Sequence, residues 1–147
     1  PEEARFTGIL RTMGGEARER VKADFRAIVS GIAAGMGVEA DIEIFESYPG
    51  CINDPAVTAL LMASARKVLG AENVEEQGAP ALGTDDFGYF CDAAPGCYYY
   101  IGVGNEAKGW TYPNHNPHFA ADPEALPLAA AVEAQAAYDY LRQEEGT

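Results

Sequence analysis

The sequence predicts an α/β chain, and three observations predict it: short segments whose apolar residues alternate with period two, longer segments where they recur at helical spacing, and glycine or proline punctuation between the two kinds. Residues 4–11 mix Phe, Thr, Ile and Leu with period two and run into Gly14-Gly15, which reads as a strand entering a turn. Over residues 16–34, Val21, Phe25, Ile28, Val29 and Ile32 recur at helical spacing while Arg18, Glu19, Lys22, Asp24 and Arg26 fill the other face. An amphipathic helix covering a sheet is expected there. Gly35 and Gly37 stop it, and residues 38–44 alternate as V-E-A-D-I-E-I, a half-buried strand with acids on its wet face.

Tyr48-Pro49-Gly50 forms a turn-rich hinge and the expected domain boundary. Asn53 or Asp54 then caps a helix whose first residue is Pro55, with Val57, Leu60, Leu61, Ser64, Ala65 and Val68 as its buried stripe and Gly70 as its stop. Residues 77–88 are rich in Gly, Pro and Asp and read as loop. The tyrosine-heavy residues 97–103 read as a buried strand feeding Gly102 and Gly104. Residues 110–121 are irregular and aromatic. Asp122-Pro123 opens a last helix with Leu126, Ala130, Val132, Ala137, Tyr140 and Leu141 turned inward, and residues 143–147 should fray.

A chain of 147 residues, 48% of them apolar, suffices for a folded domain that buries about two-thirds of its unfolded surface. With 23 Asp and Glu against 10 Lys and Arg, the net charge of −13 repels a nucleic-acid backbone or an anionic membrane, and neither is expected as a partner. The longest apolar tract, residues 126–134, is broken by Pro127 and falls far short of the roughly 18 to 20 residues that cross a bilayer. Cys51, Cys91 and Cys97 lack the spacing of a zinc knuckle or redox pair and read as reduced thiols of an intracellular protein. A cytoplasmic location is expected, with a targeting segment upstream of Pro1 left open.

The histidines, His115 and His118, lie in N-H-N-P-H-F at residues 114–119, too proline-broken to place two imidazoles one helical turn apart. A loop histidine taken alone is more often a surface or packing residue than a ligand. Its company raises it: strand-end glycines, the W-T-Y-P of residues 110–113 and a capped helix would set it near the mouth of an open sheet, where sites collect.

These residues carry a resemblance. L-G-T-D-D-F at residues 82–87, the Pro95-Gly96 turn before an aromatic strand, I-G-V-G at residues 101–104 and H-N-P at residues 115–117 followed by E-A-L-P-L at residues 124–128 resemble, in order and spacing, the C-terminal end of a family of two-metal amidohydrolases. That family includes aminoacylases, hippurate hydrolases and IAA-amino-acid hydrolases. G-I-L-R-T at residues 8–12, and Tyr48-Pro49 followed by Asn53-Asp54, resemble the second half of its inserted lid domain and the return to its catalytic domain. The resemblance covers essentially the whole chain. It implies a zinc-peptidase-like α/β fold with an inserted ferredoxin-like lid, residues 1–48 being the second half of the lid and dimerisation domain and residues 49–147 the C-terminal part of the catalytic domain.

The implied reaction is hydrolysis of the amide of an N-acyl amino acid or related small substrate, with two divalent metal ions, zinc or manganese, polarising the scissile bond. His115 is carried over as the last metal ligand; His118 is not. The remaining ligands and the general base belong to an N-terminal portion that this sequence does not contain, so no catalytic residue is expected within the chain. Alone, it is expected to bind no metal tightly and to be inactive. Its expected partners are that N-terminal portion, a small N-acyl amino acid or peptide substrate, and a second copy through the lid. Two other readings stay open: a non-catalytic binding or dimerisation module, and a dipeptidase or carboxypeptidase of the same family.

Further residues have two readings each. Asp85, where the family has glutamate in an E-D-F motif, and Asp86 either support the active-site loop or cap a short helix near Phe87. Arg11 either clamps a substrate carboxylate or neutralises acidic neighbours. Gly102 and Gly104 either admit a substrate oxygen to backbone amides or form a turn only. Trp110 and Tyr112 wall a pocket or pack its rim. Asn114 and Ala129 depart from the family's apolar residue and glycine, which bears on substrate choice more than on fold.

Overall fold

A computed structural model describes residues 2–144 and places four helices in them: α1 (Gly15–Met36), α2 (Pro55–Leu69), α3 (Phe87–Ala93) and α4 (Ala125–Glu144). The end of the tail expected to fray, residues 145–147, lies outside the described residues. The chain divides into two units, Pro1–Cys51 with Ala79–Tyr89, and Ile52–Gly78 with Phe90–Thr147.

The expected strands at residues 4–11, 38–44 and 97–103 are not formed among the described residues, where an isolated antiparallel bridge joins Asn105 to Trp110. Period two shows which face of a segment is apolar. It does not supply the partner whose N–H and C=O groups complete a ladder, and that partner is non-local. No described helix is long and apolar enough to cross a membrane.

In the first unit, α1 ends in a Schellman turn: Gly37 adopts a left-handed φ of 69°, its N–H reaches the Ala34 carbonyl at 3.2 Å, and the Val38 N–H reaches Ala33 at 3.0 Å. The chain then runs back along the polar edge of α1. Arg26 donates to the Ile42 carbonyl at 3.1 Å, Lys22 pairs with Glu46, and Arg18 donates to the Tyr48 carbonyl at 3.0 Å. Residues 26, 22 and 18 thus meet 42, 46 and 48 in antiparallel order. The helix does not cover a sheet as its periodicity suggested: Val21 and Val29 are half-buried, while Ile28 and Ile32 stay about 60% exposed. Its apolar stripe was legible; what the stripe would bury was not. Lower in the unit, Pro49 packs on the first turn of α3, where a Cβ at Gly88 would meet the Pro49 carbonyl oxygen at 2.9 Å, so only glycine fits.

In the second unit, α2 begins as expected. Asp54 accepts from the amides of Ala56 at 2.8 Å and Val57 at 2.9 Å, Pro55 takes the first position, and Gly70 closes the last turn. Ser64 and Ala65 are buried and the other predicted stripe residues half-buried. α4 packs against α2, but on a different face from the one expected. Val132 alone of the six predicted inward residues is fully buried, whereas Leu126, Ala130, Ala137, Tyr140 and Leu141 are exposed. The contact face runs instead through Ala125, Ala129, Val132, Gln135, Ala136 and Asp139. Small side chains let the two helices approach closely, and a polar lock fixes them: Asp139 accepts from Ser64 Oγ at 2.6 Å and from Lys67 Nζ at 2.8 Å.

Two predictions follow from the helix pair. Val132→Ala removes two buried carbons and should lower unfolding stability by about 2 kcal/mol, read as a shifted denaturant midpoint with an unchanged slope. The Lys67 ammonium, helped by Ser64, holds the Asp139 carboxyl below the usual carboxylate range. A lowered native pKa means that the unfolded chain binds the proton first. The stabilisation is therefore complete above the ordinary carboxylate pKa and declines as pH falls through the native one; the acid side of a stability–pH profile should flatten in Asp139→Asn.

Candidate functional site

The segment bearing His115 is slung between the start of α2 and the start of α4. Asn53, just before the α2 cap, grips the backbone of Tyr98 at two points: its Nδ2 donates to the Tyr98 carbonyl and its Oδ1 accepts the Tyr98 N–H, both at 2.8 Å. The Asp54 N–H reaches the Gly96 carbonyl at 2.8 Å, so a side-chain amide and a backbone amide together stand in for a strand neighbour. Tyr99 then donates to Glu133 of α4 at 2.6 Å. Burial, reinforced by that carboxylate, pushes the Tyr99 phenol far above its usual range.

Asp122 closes the far end. Its N–H donates to the Val103 carbonyl at 2.8 Å, and its carboxylate, on a side chain 10% exposed, accepts from the Asn105 amide, from Lys108 Nζ at 3.1 Å and from the Glu124 N–H at 3.2 Å. The Asn105 amide, with the Lys108 ammonium beside it, holds the Asp122 carboxyl below the usual carboxylate range. Asn105 and Trp110 exchange both backbone bonds at 2.9 Å around a 3-10 turn at Glu106–Lys108, and Lys108 Nζ lies 4.9 Å from the Trp110 ring centroid. Trp110 therefore packs at the loop's base. Sequence reading placed Asp122 only at the opening of a helix; its partners at 103, 105 and 108 are distant in sequence, and no local pattern announces them.

Within this closed excursion the chain turns twice: the Asn116 N–H reaches Pro113 at 3.3 Å and the Phe119 N–H reaches Asn116 at 2.9 Å, while Asn116 Oδ1 accepts the His118 N–H at 2.9 Å. His115 sits at the first turn with a φ of 66°, a left-handed backbone that residues other than glycine seldom adopt. Its side chain is exposed. The ring of His118 lies 5.3 Å from that of Tyr112.

A model of the peptidase family M20/M25/M40 matches residues 1–139. The chain belongs to this family. It is 35% identical over 135 residues to thermostable carboxypeptidase 1 of Saccharolobus solfataricus, covering 91% of this chain and 33% of that protein. It is 34% identical over 138 residues to N-acetylcysteine deacetylase of Bacillus subtilis, covering 93% and 34%, and 27% identical over 145 residues to IAA-amino acid hydrolase ILR1-like 6 of Arabidopsis thaliana, covering 96% and 31%. The chain thus spans about a third of the length of the curated relatives it matches. No solved structure gives a significant match. M20 membership brings an α/β fold, of which the described residues display the helices.

The other residues singled out from this M20 sequence fall in two groups. Gly102, Gly104 and His115 belong to the second unit, Arg11, Asp85 and Asp86 to the first. Arg11 donates to the Leu82 carbonyl at 2.6 Å, a contact that pins the loop before α3 rather than pairing an acid. Asp85 Oδ1 accepts the Phe87 N–H at 2.9 Å, the geometry of a cap on α3, and the Asp86 carbonyl accepts the Tyr89 N–H at 3.0 Å. Among the described residues no three His, Cys, Asp or Glu side chains converge as a metal site would require, so these residues by themselves do not fit the metal centre that the resemblance implies. A cleft of 460 Å³ opens between the start of α2 and the end of α3, lined by Asp54, Cys91, Asp92 and Gly96 among others; His115 is not among its lining residues.

The two glycines of the I-G-V-G loop should respond differently to alanine. A Cβ at Gly104 would meet the Trp110 carbonyl oxygen at 3.3 Å, whereas one at Gly102 meets nothing within 4 Å. Gly104→Ala should strain the 105–110 bridge and cost about 1 kcal/mol, while Gly102→Ala stays close to wild type; thermal melts of the two variants check the contrast.

Proposed function

We propose that this chain is the C-terminal portion of a metal-dependent M20 hydrolase that cleaves the C–N amide bond of N-acyl amino acids or related small substrates. The observation that carries the reading is the family match across residues 1–139, within which the H-N-P of residues 115–117 keeps its place ahead of the last helix. Relatives whose names specify deacetylation of N-acetylcysteine and hydrolysis of IAA-amino acids support an acyl amino acid as substrate. A carboxypeptidase is the second reading, favoured by the 35% identity to thermostable carboxypeptidase 1.

In this reading His115 donates one imidazole to a centre of two divalent ions, zinc or manganese, which when bound would polarise the amide and supply its water. Preceding sequence contributes the other ligands and the general base. The exposure of His115 on a braced loop suits a ligand that awaits neighbours from elsewhere in the protein. Arg11 and the Asp85-Asp86 pair serve as supports: Arg11 holds the loop at Leu82, and Asp85 holds the first turn of α3. Gly102 and Gly104 shape the approach to the His115 segment. Residues 1–48 form half of a ferredoxin-like lid that pairs protomers into a homodimer, and the whole acts in the cytoplasm. The chain by itself is inactive, because one imidazole does not make a complete ligand set.

The test uses the full-length protein. His115→Ala should lose bound metal, measured by elemental analysis, and lower kcat/KM for N-acyl amino acids by about two orders of magnitude or more. Unchanged metal content and rate would remove His115 from the ligand list. Comparing N-acyl amino acids with peptides carrying a free C-terminus decides between the two substrate readings.

A further inference from the structure

Asp122 has more partners than a helix start requires. A capping aspartate needs to accept one or two amides of the first turn, and the Glu124 N–H meets that need. Beyond it, Asp122 ties together three points upstream: its N–H holds Val103, and its carboxylate holds the Asn105 amide and the Lys108 ammonium. Val103 and Asp122 are the two ends of the excursion that carries His115. Asn105 and Lys108 in turn brace the bridge to Trp110, from which residues 111–119 depart. The Asp122 side chain is 10% exposed, so solvent competes only partly for its hydrogen bonds.

His115 gives an independent observation. Its φ of 66° is a backbone state that persists for a non-glycine residue only where surrounding structure holds it. The local bonds of the segment, from Asn116 to Pro113 and from Phe119 to Asn116, lie inside the excursion and do not fix its ends. The ends are fixed at Asp122.

We infer that Asp122 is a positioning residue that holds the His115 segment in its left-handed turn by clamping both ends of the loop through Val103, Asn105 and Lys108. Its functional weight rests on the proposed role of His115, while its physical content does not. The charge on Asp122 matters as well as its shape, because its partner Lys108 is cationic and also lies over the Trp110 ring.

The experiment is nuclear magnetic resonance and amide exchange on the full-length protein, comparing wild type with Asp122→Asn, Lys108→Met and Lys108→Arg. In Asp122→Asn, the backbone shifts of His115 should move towards random-coil values and amides of residues 111–119 should exchange about tenfold faster or more, with α2 protection kept. Lys108→Met should do the same to a smaller extent, and Lys108→Arg, which keeps the charge, should restore the wild-type signature. Wild-type shifts and exchange at residues 111–119 in Asp122→Asn would overturn the inference. If Asp122→Asn also exposes α2, Lys108→Met decides: loosening confined to the loop supports the clamp, and an unchanged loop refutes it. Failure of the His115 reading shows up separately, as full hydrolysis by His115→Ala, and leaves the clamp standing.

Discussion

The close packing of α2 on α4 is the interaction on which the second unit depends. Ser64 and Ala65 on one helix and Val132 on the other are small enough for near contact, and Asp139 seals the join by accepting from both Ser64 and Lys67. A carboxylate in such a position is stabilising only if its acceptor capacity is filled, and here Gln135 adds a further donor at 3.0 Å. With the two helices locked, their N-terminal ends become fixed points. The Asn53 grip on Tyr98 belongs to one, the Asp122 clamp to the other, and the chain between them carries His115.

Much of the helical framework was legible because helix ends are written in local chemistry. Asp54 before Pro55, Gly37 and Gly70 after apolar stripes, and Asp85 two residues before Phe87 act on backbone groups within a few positions of themselves, and each does what its residue type suggests. The buried face of α4 was not legible for a physical reason. Alanines lie on every side of it, so apolarity does not distinguish in from out, and the larger residues Leu126, Tyr140 and Leu141 are exposed. A charged residue, Asp139, lies on the contact face instead. Hydrophobic periodicity weighs size and polarity, whereas this contact was selected by smallness and by one ion pair.

The candidate site shows the same division. The H-N-P motif was found from its order among other motifs, and the resemblance it suggested agrees with the family to which the chain belongs. The residues that hold the loop were missed: Asp122 pairs with positions 14 to 19 residues earlier, and Asn53 with Tyr98 across 45. Such pairings have no period and no flanking signal. The extended segments are a third case, since alternation along 38–44 describes a capacity for pairing that only a distant partner realises.

The first unit makes that capacity concrete. Three cationic residues of α1 engage the returning chain, Arg18 and Arg26 on carbonyls of Tyr48 and Ile42 and Lys22 on Glu46, and so hold residues 42–48 along one edge. Glu19 and Glu46 together raise the Lys22 ammonium above its usual range. Phe25, Ile28, Ile32 and Met36 are left on the open side, and Phe6, Ile9 and Phe45 are likewise exposed. The electrostatic contacts set direction, since they orient two segments antiparallel, but exposed ion pairs contribute little to stability. Burial of an apolar stripe contributes far more, so among the described contacts those of α1 set the direction of the returning chain rather than supply most of its stability.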